Sequence, residues 1–144
     1  MTRWSVSSIL DAKGDRVEVV EPNAPVIEAI RRMNGRRIGC VIVANGNEIV
    51  GIFSERDALV RVLMAGRDPA LTTVAAVMTR DLVCIAPDTS IEHAMHIATE
   101  THCRHLPVVD GDRLCGLIST GDLIKWVVRD QRLQIDDLIR FITS

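Results

Sequence analysis

Two segments of this 144-residue chain carry side chains whose types and spacing could do chemistry. Residues 51–57 read GIFSERD and residues 116–122 read GLISTGD, so that in each segment a serine precedes an aspartate by three residues. This spacing is close to the capping box of a helix N-terminus, in which both side chains satisfy free backbone N–H groups. The same geometry offers N–H groups and a positive dipole to a phosphate, and the carboxylate can accept both hydroxyls of a ribose. A helix cap and a nucleotide site are therefore both open.

Metal binding and catalysis find little support in the sequence. The cysteines form no C-x-x-C pair, and the cluster of His102, Cys103 and His105 lacks the second ligand pair of a structural zinc site. We expect reduced, buried thiols and no metal. The chain also lacks a nucleophile elbow, a Walker-type glycine loop and a G-x-G-x-x-G run, so we predict no catalytic residues and no enzyme activity. The cysteines are Cys40, Cys84, Cys103 and Cys115.

The composition is that of an ordinary globular domain. It is 47% hydrophobic and 25% charged, and 17 Lys+Arg against 19 Asp+Glu leave a formal charge of −2. This balance argues against nucleic acid and against an anionic membrane surface as the main partner, because phosphate binders concentrate Lys and Arg. No run reaches the roughly 18 apolar residues of a membrane span, and the N-terminus lacks the apolar region of a secretory signal. We expect a cytoplasmic protein.

An internal repeat places the two Ser-x-x-Asp segments at equivalent positions. Residues 22–59 and 87–124 align without a gap at a constant offset of 65 positions, and such a period decides the architecture. Asn23 and Asp88 are predicted to cap a helix in each copy, and Asn34-Gly35 to end the first one. The i, i+3, i+4, i+7 spacing of buried positions supports these helices. The positions are Val26, Ala29, Ile30 and Met33, then Ile91, Ala94, Met95 and Ala98.

A β-hairpin and a second helix follow the first helix of each copy. Asn45-Gly46 and Asp110-Gly111 separate apolar runs and predict hairpin turns, because both turn residues tolerate positive φ. Residues 17–20 and 82–85 are predicted as one further short strand ahead of each copy. A last amphipathic helix at 132–142 either covers the core of the chain or forms a dimer contact. The apolar positions of the second helices are Ala58, Leu59, Val62, Leu63, Leu123, Ile124, Val127 and Val128.

The predicted fold is α/β, with a β-α-β-β-α unit present twice. One unit of about 60 residues has an apolar sheet face that it cannot cover alone, so we expect the two sheets to pack together about a pseudo-twofold axis and to form two related clefts. We place the first repeat at 6–66, a linker at 67–76, the second repeat at 77–131 and a C-terminal helix at 132–144.

The G-h-h-S/T-x-x-D pattern, closing a β-α-β-β-α unit in tandem, resembles the CBS domain pair, also called a Bateman module. The resemblance covers about residues 6–129 and includes Val77-Met78-Thr79 and the RHLPVV run at 104–109. It implies a stand-alone bacterial regulatory module, usually homodimeric and not catalytic. Such modules commonly bind adenosyl ligands such as AMP, ADP, ATP, NAD(H) or S-adenosylmethionine in the clefts. With no attached output domain, we expect a partner protein to be regulated in trans.

The resemblance also implies which positions contact the ligand. Asp57 and Asp122 would hold ribose hydroxyls, while the serines and neighbouring first-turn residues would contact phosphate. Residues on the first strands would flank the adenine, two residues at equivalent positions on the second strands belong to the same set, and a basic pair at 104–105 would face phosphate. The full set is Val19, Cys40, Ser54, Glu55, Arg56, Asp57, Thr79, Cys84, Arg104, His105, Ser119, Thr120 and Asp122.

The two copies differ at these positions. Gly39-Cys40 of the first copy aligns with Arg104-His105 of the second, and Arg56 of the first copy aligns with Gly121 of the second. Because each basic feature occurs in one copy only, we expect the two clefts to differ in affinity or in preferred ligand. The competing hypothesis is a ligand-independent dimerisation or interaction scaffold, in which the Ser-x-x-Asp elements are helix caps and nothing more.

Overall fold

The computed structural model describes residues 4–14 and 17–143. Contacts group the described residues into two compact units. Those within Arg16–Leu82 form the middle unit. Those within Met1–Asp15 and Val83–Ser144 form the terminal unit. The first helix of the chain therefore packs with the second copy of the repeat.

Each unit combines helices with a small sheet, which confirms the predicted α/β class. Six α-helices are present among the described residues, and none of them is long and apolar enough to cross a membrane. The boundaries at 6–66, 67–76, 77–131 and 132–144 and the pseudo-twofold packing stay predictions. Ser144 lies outside the described residues.

The middle unit holds a three-stranded sheet in the order β1-β2-β3, with β1 parallel and β3 antiparallel to β2. Its helix α2 packs on this sheet through a shared apolar core of Val26, Ala29, Met33, Val41, Val43 and Phe53. The elements are β1 Val19–Val20, α2 Val26–Arg36, β2 Cys40–Asn45, β3 Glu48–Ser54, α3 Glu55–Asp57, a π-helix at Ala58–Leu63 and α4 Val74–Val77.

The terminal unit holds a two-stranded antiparallel sheet, β4-β5, covered by helices. Its core joins the first helix to the second repeat through Val6, Ile9, Leu10, Ile91, Ala94, Leu106, Val108, Ile118 and Leu123. The elements are α1 Val6–Lys13, α5 Ile91–Thr101, β4 His105–Asp110, β5 Arg113–Ser119 and α6 Thr120–Thr143.

Both predicted hairpins are present, and a glycine fixes each turn. Gly46 and Gly111 have φ values of 64° and 62°, a conformation that residues with a Cβ rarely adopt. A second pair of glycines, Gly51 and Gly116, lets another segment approach the hairpin. A Cβ on Gly51 would lie 2.6 Å from Met78 Sδ and 2.8 Å from the Thr79 carbonyl oxygen. A Cβ on Gly116 would lie 2.6 Å from a methyl of Leu10 in α1.

The strand predicted at 82–85 is wrong: only Ile85 pairs, through one parallel bridge to Val108. A comparison of the two copies explains why the second copy lacks this strand. In the middle unit the Ile42 N–H donates to the Glu18 carbonyl oxygen at 3.0 Å, beside β1. The equivalent of Ile42 in the second copy is Pro107, which has no N–H to donate. The first strand is therefore reduced to a bridge.

The predicted ends of the first helices were displaced by two residues. The N-caps are Pro25 and Ser90, not Asn23 and Asp88, and the Ser90 hydroxyl accepts the His93 N–H at 3.0 Å. At the other end, α2 continues through the predicted stop at Asn34-Gly35 to Arg36 and is capped by Arg37 in the left-handed conformation. Left-handed His102 ends α5 in the same way.

The helix predicted at 132–142 is the last part of the continuous α6. Residues 131–143 are all exposed, so this part of the helix does not cover the core of its own chain. Four of the apolar positions named for the second helices are also exposed. They are Leu59, Leu63, Ile124 and Val128.

Candidate functional site

The first Ser-x-x-Asp segment forms a complete capping box at the start of α3. The Ser54 hydroxyl accepts the Asp57 N–H at 3.3 Å, and the Asp57 carboxylate accepts the Ser54 N–H at 3.0 Å. The carboxylate also accepts the Ser54 hydroxyl at 3.1 Å. Asp57 is 6% exposed and is the one buried charged residue among those described. Its negative charge lies at a helix N-terminus, where the dipole stabilises it.

Thr79 reaches this carboxylate from a distant part of the sequence. Its hydroxyl donates to Asp57 Oδ1 at 3.1 Å. Two backbone hydrogen bonds between Thr79 and Ile52, of 2.8 and 2.9 Å, hold it there. The structure thus brings the predicted residues Thr79 and Asp57 together, and the absent side chain of Gly51 leaves room for this segment.

Arg61 is a neighbour of the cap that the sequence analysis missed. Its Nε lies 3.6 Å from Asp57 Oδ1, and its guanidinium donates to the Met78 carbonyl oxygen at 2.9 Å. The i, i+4 spacing of Asp57 and Arg61 is the signal that could have found it.

The second Ser-x-x-Asp segment repeats the cap at the start of α6. The Asp122 carboxylate accepts the Ser119 N–H at 2.9 Å, and the Ser119 hydroxyl accepts the Asp122 N–H at 3.1 Å. Its neighbour is a cation: Lys13 Nζ donates to Asp122 Oδ2 at 2.8 Å and to the Leu117 carbonyl oxygen at 3.1 Å. The Asp122 side chain is 24% exposed, against 8% for that of Asp57.

The electrostatics of Asp122 follow from these contacts. Burial raises the pKa of its carboxyl, but the hydrogen bond and charge of Lys13 and the hydrogen bonds from Ser119 outweigh burial and hold the pKa below its usual value. Asp122 is therefore ionised at neutral pH and accepts hydrogen bonds only.

Lys13 was not among the predicted site residues. It is separated from Asp122 by 109 positions, so no local pattern joins them. The repeat itself contains the signal: at the offset of 65, Lys13-Gly14 aligns with Met78-Thr79. Each copy therefore has an equivalent two-residue segment beside its capping aspartate, Met78-Thr79 in the first copy and Lys13-Gly14 in the second. We call this the approach segment.

The structure brings the predicted second-strand residues next to the serines. Cys40 pairs with Ser54 across β2 and β3, and His105 pairs with Ser119 across β4 and β5. Cys40 is buried and His105 is half-buried. The carbonyl oxygen of Arg104 accepts the Thr120 N–H at 2.9 Å, and the Arg104 side chain is exposed.

The remaining predicted residues lie at the edges of these sites. Glu55 and Arg56 are exposed in the first turn of α3. Val19 lies opposite Ile42, two residues along β2 from the Cys40 position, and is 36% exposed. Cys84 is exposed outside the named strands, although desolvation raises the pKa of its thiol. Within 4–14 and 17–143, no group of three or more His, Cys, Asp or Glu residues could hold a metal ion.

Comparison with known proteins agrees with this organisation. The family model of the CBS domain matches residues 8–63 and 74–129. The CBS domain-containing protein YhcV of Bacillus subtilis is 33% identical over 118 residues, covering 82% of this chain and 84% of YhcV. Some plant relatives are far longer, and the chain spans about a fifth of CBSCBSPB3 and CBSCBSPB2 of Arabidopsis thaliana.

Solved structures share the fold over most of the chain. A candidate signal-transduction protein with CBS domains from Burkholderia ambifaria has a TM-score of 0.84 and 39% identity, covering 89% of this chain and 96% of its own. The hexameric CBS-CP12 protein of bloom-forming cyanobacteria has a TM-score of 0.77 and 25% identity, covering 86% of this chain and 67% of its own. With two copies of the family pattern, each closing on a Ser-x-x-Asp cap, the chain belongs to the CBS domain family.

Proposed function

We propose that this protein is a non-catalytic regulatory module that binds an adenine nucleotide of the AMP, ADP, ATP or NAD(H) type at its Ser-x-x-Asp sites. The observation that carries the proposal is the repeated geometry. In each unit a capping aspartate at a helix N-terminus meets a hydrogen-bond donor from the approach segment, Thr79 in one and Lys13 in the other. Such a site offers a carboxylate to ribose hydroxyls and N–H groups to phosphate.

Of the two candidate sites, the one in the terminal unit is the more accessible to a nucleotide. The Asp122 side chain is partly exposed, and the side chain of Lys13, whose ammonium holds the carboxylate, is 41% exposed. Ribose hydroxyls can therefore replace Lys13 on the carboxylate, since an exposed ion pair contributes little to stability. Thr120, at the start of α6, and Arg104 beside it add donors for phosphate.

Regulation requires that the ligand favour one of two conformations. A useful switch needs a preference of roughly 1 to 3 kcal/mol, which a partner protein then senses. This partner acts in trans in the proposed mechanism. We place the protein in the cytoplasm, a proposal supported by four free cysteines, because thiols stay reduced there.

We also propose that a second copy of the chain covers the end of α6. The exposed apolar residues there follow helical i, i+3, i+4, i+7 spacing and form one face. They are Ile135, Leu138, Ile139 and Ile142, which are 52 to 71% exposed. The hexameric relative supports self-association in this family. Light scattering should give a dimer for the wild type and a monomer for Ile139→Glu; a dimer in both would show that this face is not the contact.

Thermal unfolding against a ligand panel tests the nucleotide proposal. AMP, ADP, ATP, NAD, NADH and S-adenosylmethionine are each added to the wild type, Asp57→Ala and Asp122→Ala. A ligand at 100 times its Kd stabilises the fold by about 2.7 kcal/mol, which raises Tm by several degrees. We expect one ligand to raise Tm and Asp122→Ala to abolish the shift, while Asp112→Ala, in an exposed turn, preserves it.

The absence of any increase in Tm would support the competing hypothesis. If no ligand raises Tm in protein free of copurified nucleotide, the Ser-x-x-Asp elements are helix caps alone, and the module is a ligand-independent interaction scaffold. A shift that survives in the double variant Asp57→Ala/Asp122→Ala would place the nucleotide elsewhere.

A further inference from the structure

An open groove of about 570 Å³ runs between α1 and α6 in the terminal unit. Four of its nine lining residues are cations, and the capping carboxylate of Asp122 is also part of the lining. The cations are Lys13, Lys125, Arg129 and Arg132. The groove therefore continues the candidate nucleotide site as a positively charged channel along α6.

Three of these cations form a row on one face of the helix. Lys125, Arg129 and Arg132 are spaced i, i+4, i+7, and like charges four residues apart destabilise a helix. One of them is held in place: the Arg129 guanidinium lies 5.2 Å from the ring centroid of Trp126, and Trp126 packs edge to face on Trp4 at 5.5 Å. A bound anion would offset the repulsion within the row.

The repeat shows that the fold does not require these charges. At the offset of 65, the equivalents of the first three cations in the middle unit are apolar, and Arg132 alone has a basic counterpart, Arg67. The apolar equivalents are Met78, Val60 and Met64. The cationic channel is therefore a property of one copy.

We propose that this groove binds the phosphate chain of a nucleoside polyphosphate whose ribose is held by Asp122, so that the terminal unit prefers a triphosphate to a monophosphate. The proposal rests on the nucleotide function proposed above and names its ligand class. Arg129 and Arg132 lie about two and nearly three helical turns beyond Asp122. The positive charge thus extends away from the carboxylate along α6, in the direction that we propose for an anionic chain attached to the ribose. Lys13, once displaced from Asp122, remains in the groove to contact phosphate.

The two tryptophans of the chain allow this unit to be observed separately. Trp4 and Trp126 both belong to the terminal unit, and Trp126 lines the groove, so tryptophan fluorescence reports binding there. Fluorescence and titration calorimetry are recorded with AMP, ATP and inorganic tripolyphosphate. The test variant is Lys125→Ala/Arg132→Ala. The control Arg31→Ala/Arg67→Ala removes two exposed cations from the middle unit and matches its change in net charge.

We expect the wild type and the control to bind ATP at least about ten-fold more tightly than AMP, because charge-assisted contacts to phosphate are strong. The test variant should lose most of this preference and should bind tripolyphosphate about ten-fold more weakly, with AMP unchanged. Equal affinities for AMP and ATP in the wild type, an ATP preference that survives in the test variant, or no binding of tripolyphosphate would each overturn the proposal. If tripolyphosphate alone binds, and the test variant weakens it, the phosphate groove is supported and the adenine nucleotide function is wrong.

Discussion

At the first cap, Asp57 is buried and meets the hydroxyl of Thr79; at the second, Asp122 is partly exposed and meets the ammonium of Lys13. The caps themselves are alike, with the serine N–H donating to the carboxylate at 3.0 and 2.9 Å. The helix start is thus built locally by the four residues of the motif. What distinguishes the two sites is the approach segment, which comes from a distant part of the chain.

The glycines of β3 and β5 that leave room for a neighbouring segment also differ between the two units. Gly51 and Gly116 occupy equivalent positions, and both leave space for a neighbour that a Cβ would meet. At Gly51 the neighbours include the backbone of Thr79, whereas at Gly116 they are atoms of the Leu10 side chain. The neighbour of Gly51 is therefore less able to move aside than the neighbour of Gly116, which is a side chain of α1.

The largest effect should come from comparing Gly51→Ala with Gly116→Ala. We expect Gly51→Ala to lower the free energy of unfolding by about 3 kcal/mol and Gly116→Ala by about 1 kcal/mol, because a side-chain tip can move aside and a backbone carbonyl cannot. Urea denaturation of the two variants measures the difference. Equal losses would show that the Leu10 side chain moves aside no more easily than the Thr79 backbone does.

A smaller effect concerns the response of the second cap to acid. Because the folded pKa of Asp122 is lowered from 3.8, its contribution to stability is fully present above that value and is lost as the pH falls through the folded pKa. Lys13→Met, which introduces the residue of the other copy, should therefore destabilise the protein at neutral pH and approach the wild type below about pH 3.8.

Urea denaturation of Lys13→Met across this pH range makes the measurement. Lys125→Met, which removes the same charge, serves as the control and should show no such convergence. A constant difference between Lys13→Met and the wild type at all pH values would mean that Lys13 acts through packing and not through Asp122.

The smallest effect concerns the missing strand of the terminal unit. Pro107→Ile restores the N–H that Ile42 donates in the middle unit, and we expect it to bond to the carbonyl oxygen of Val83. The net change in stability should stay below about 1 kcal/mol, since the new hydrogen bond is offset by greater freedom of the unfolded chain. Slow hydrogen exchange of the new amide would confirm the bond, and exchange at the rate of an exposed amide would contradict it.

Local patterns predicted the local structure well. The hairpins at Gly46 and Gly111 and the Ser-x-x-Asp caps depend on residues within a few positions of one another, and all are present. The helix starts were placed two residues early because Asn23 and Asp88 are good capping residues, whereas the helix begins where backbone partners are available. The Val26 N–H, for example, donates to the Thr72 carbonyl oxygen.

The approach segments could not be predicted in the same way. The Lys13 contact depends on α1 packing against β5, a tertiary arrangement that leaves no local periodicity in the sequence. The cover of the second helices could not be predicted for a related reason: an apolar stripe indicates that a face is covered, but not by which molecule. Leu63 and Val128 occupy equivalent positions, and both lie on such faces.

The grouping of α1 with the second repeat has a consequence for synthesis of the protein. The middle unit is one continuous stretch, so its core can close once Leu82 has left the ribosome. The terminal unit is interrupted by it, and Val6, Ile9 and Leu10 wait for partners such as Leu106 and Ile118. Chain elongation therefore imposes an order of assembly, in which the nascent N-terminal helix stays uncovered until most of the chain has been translated.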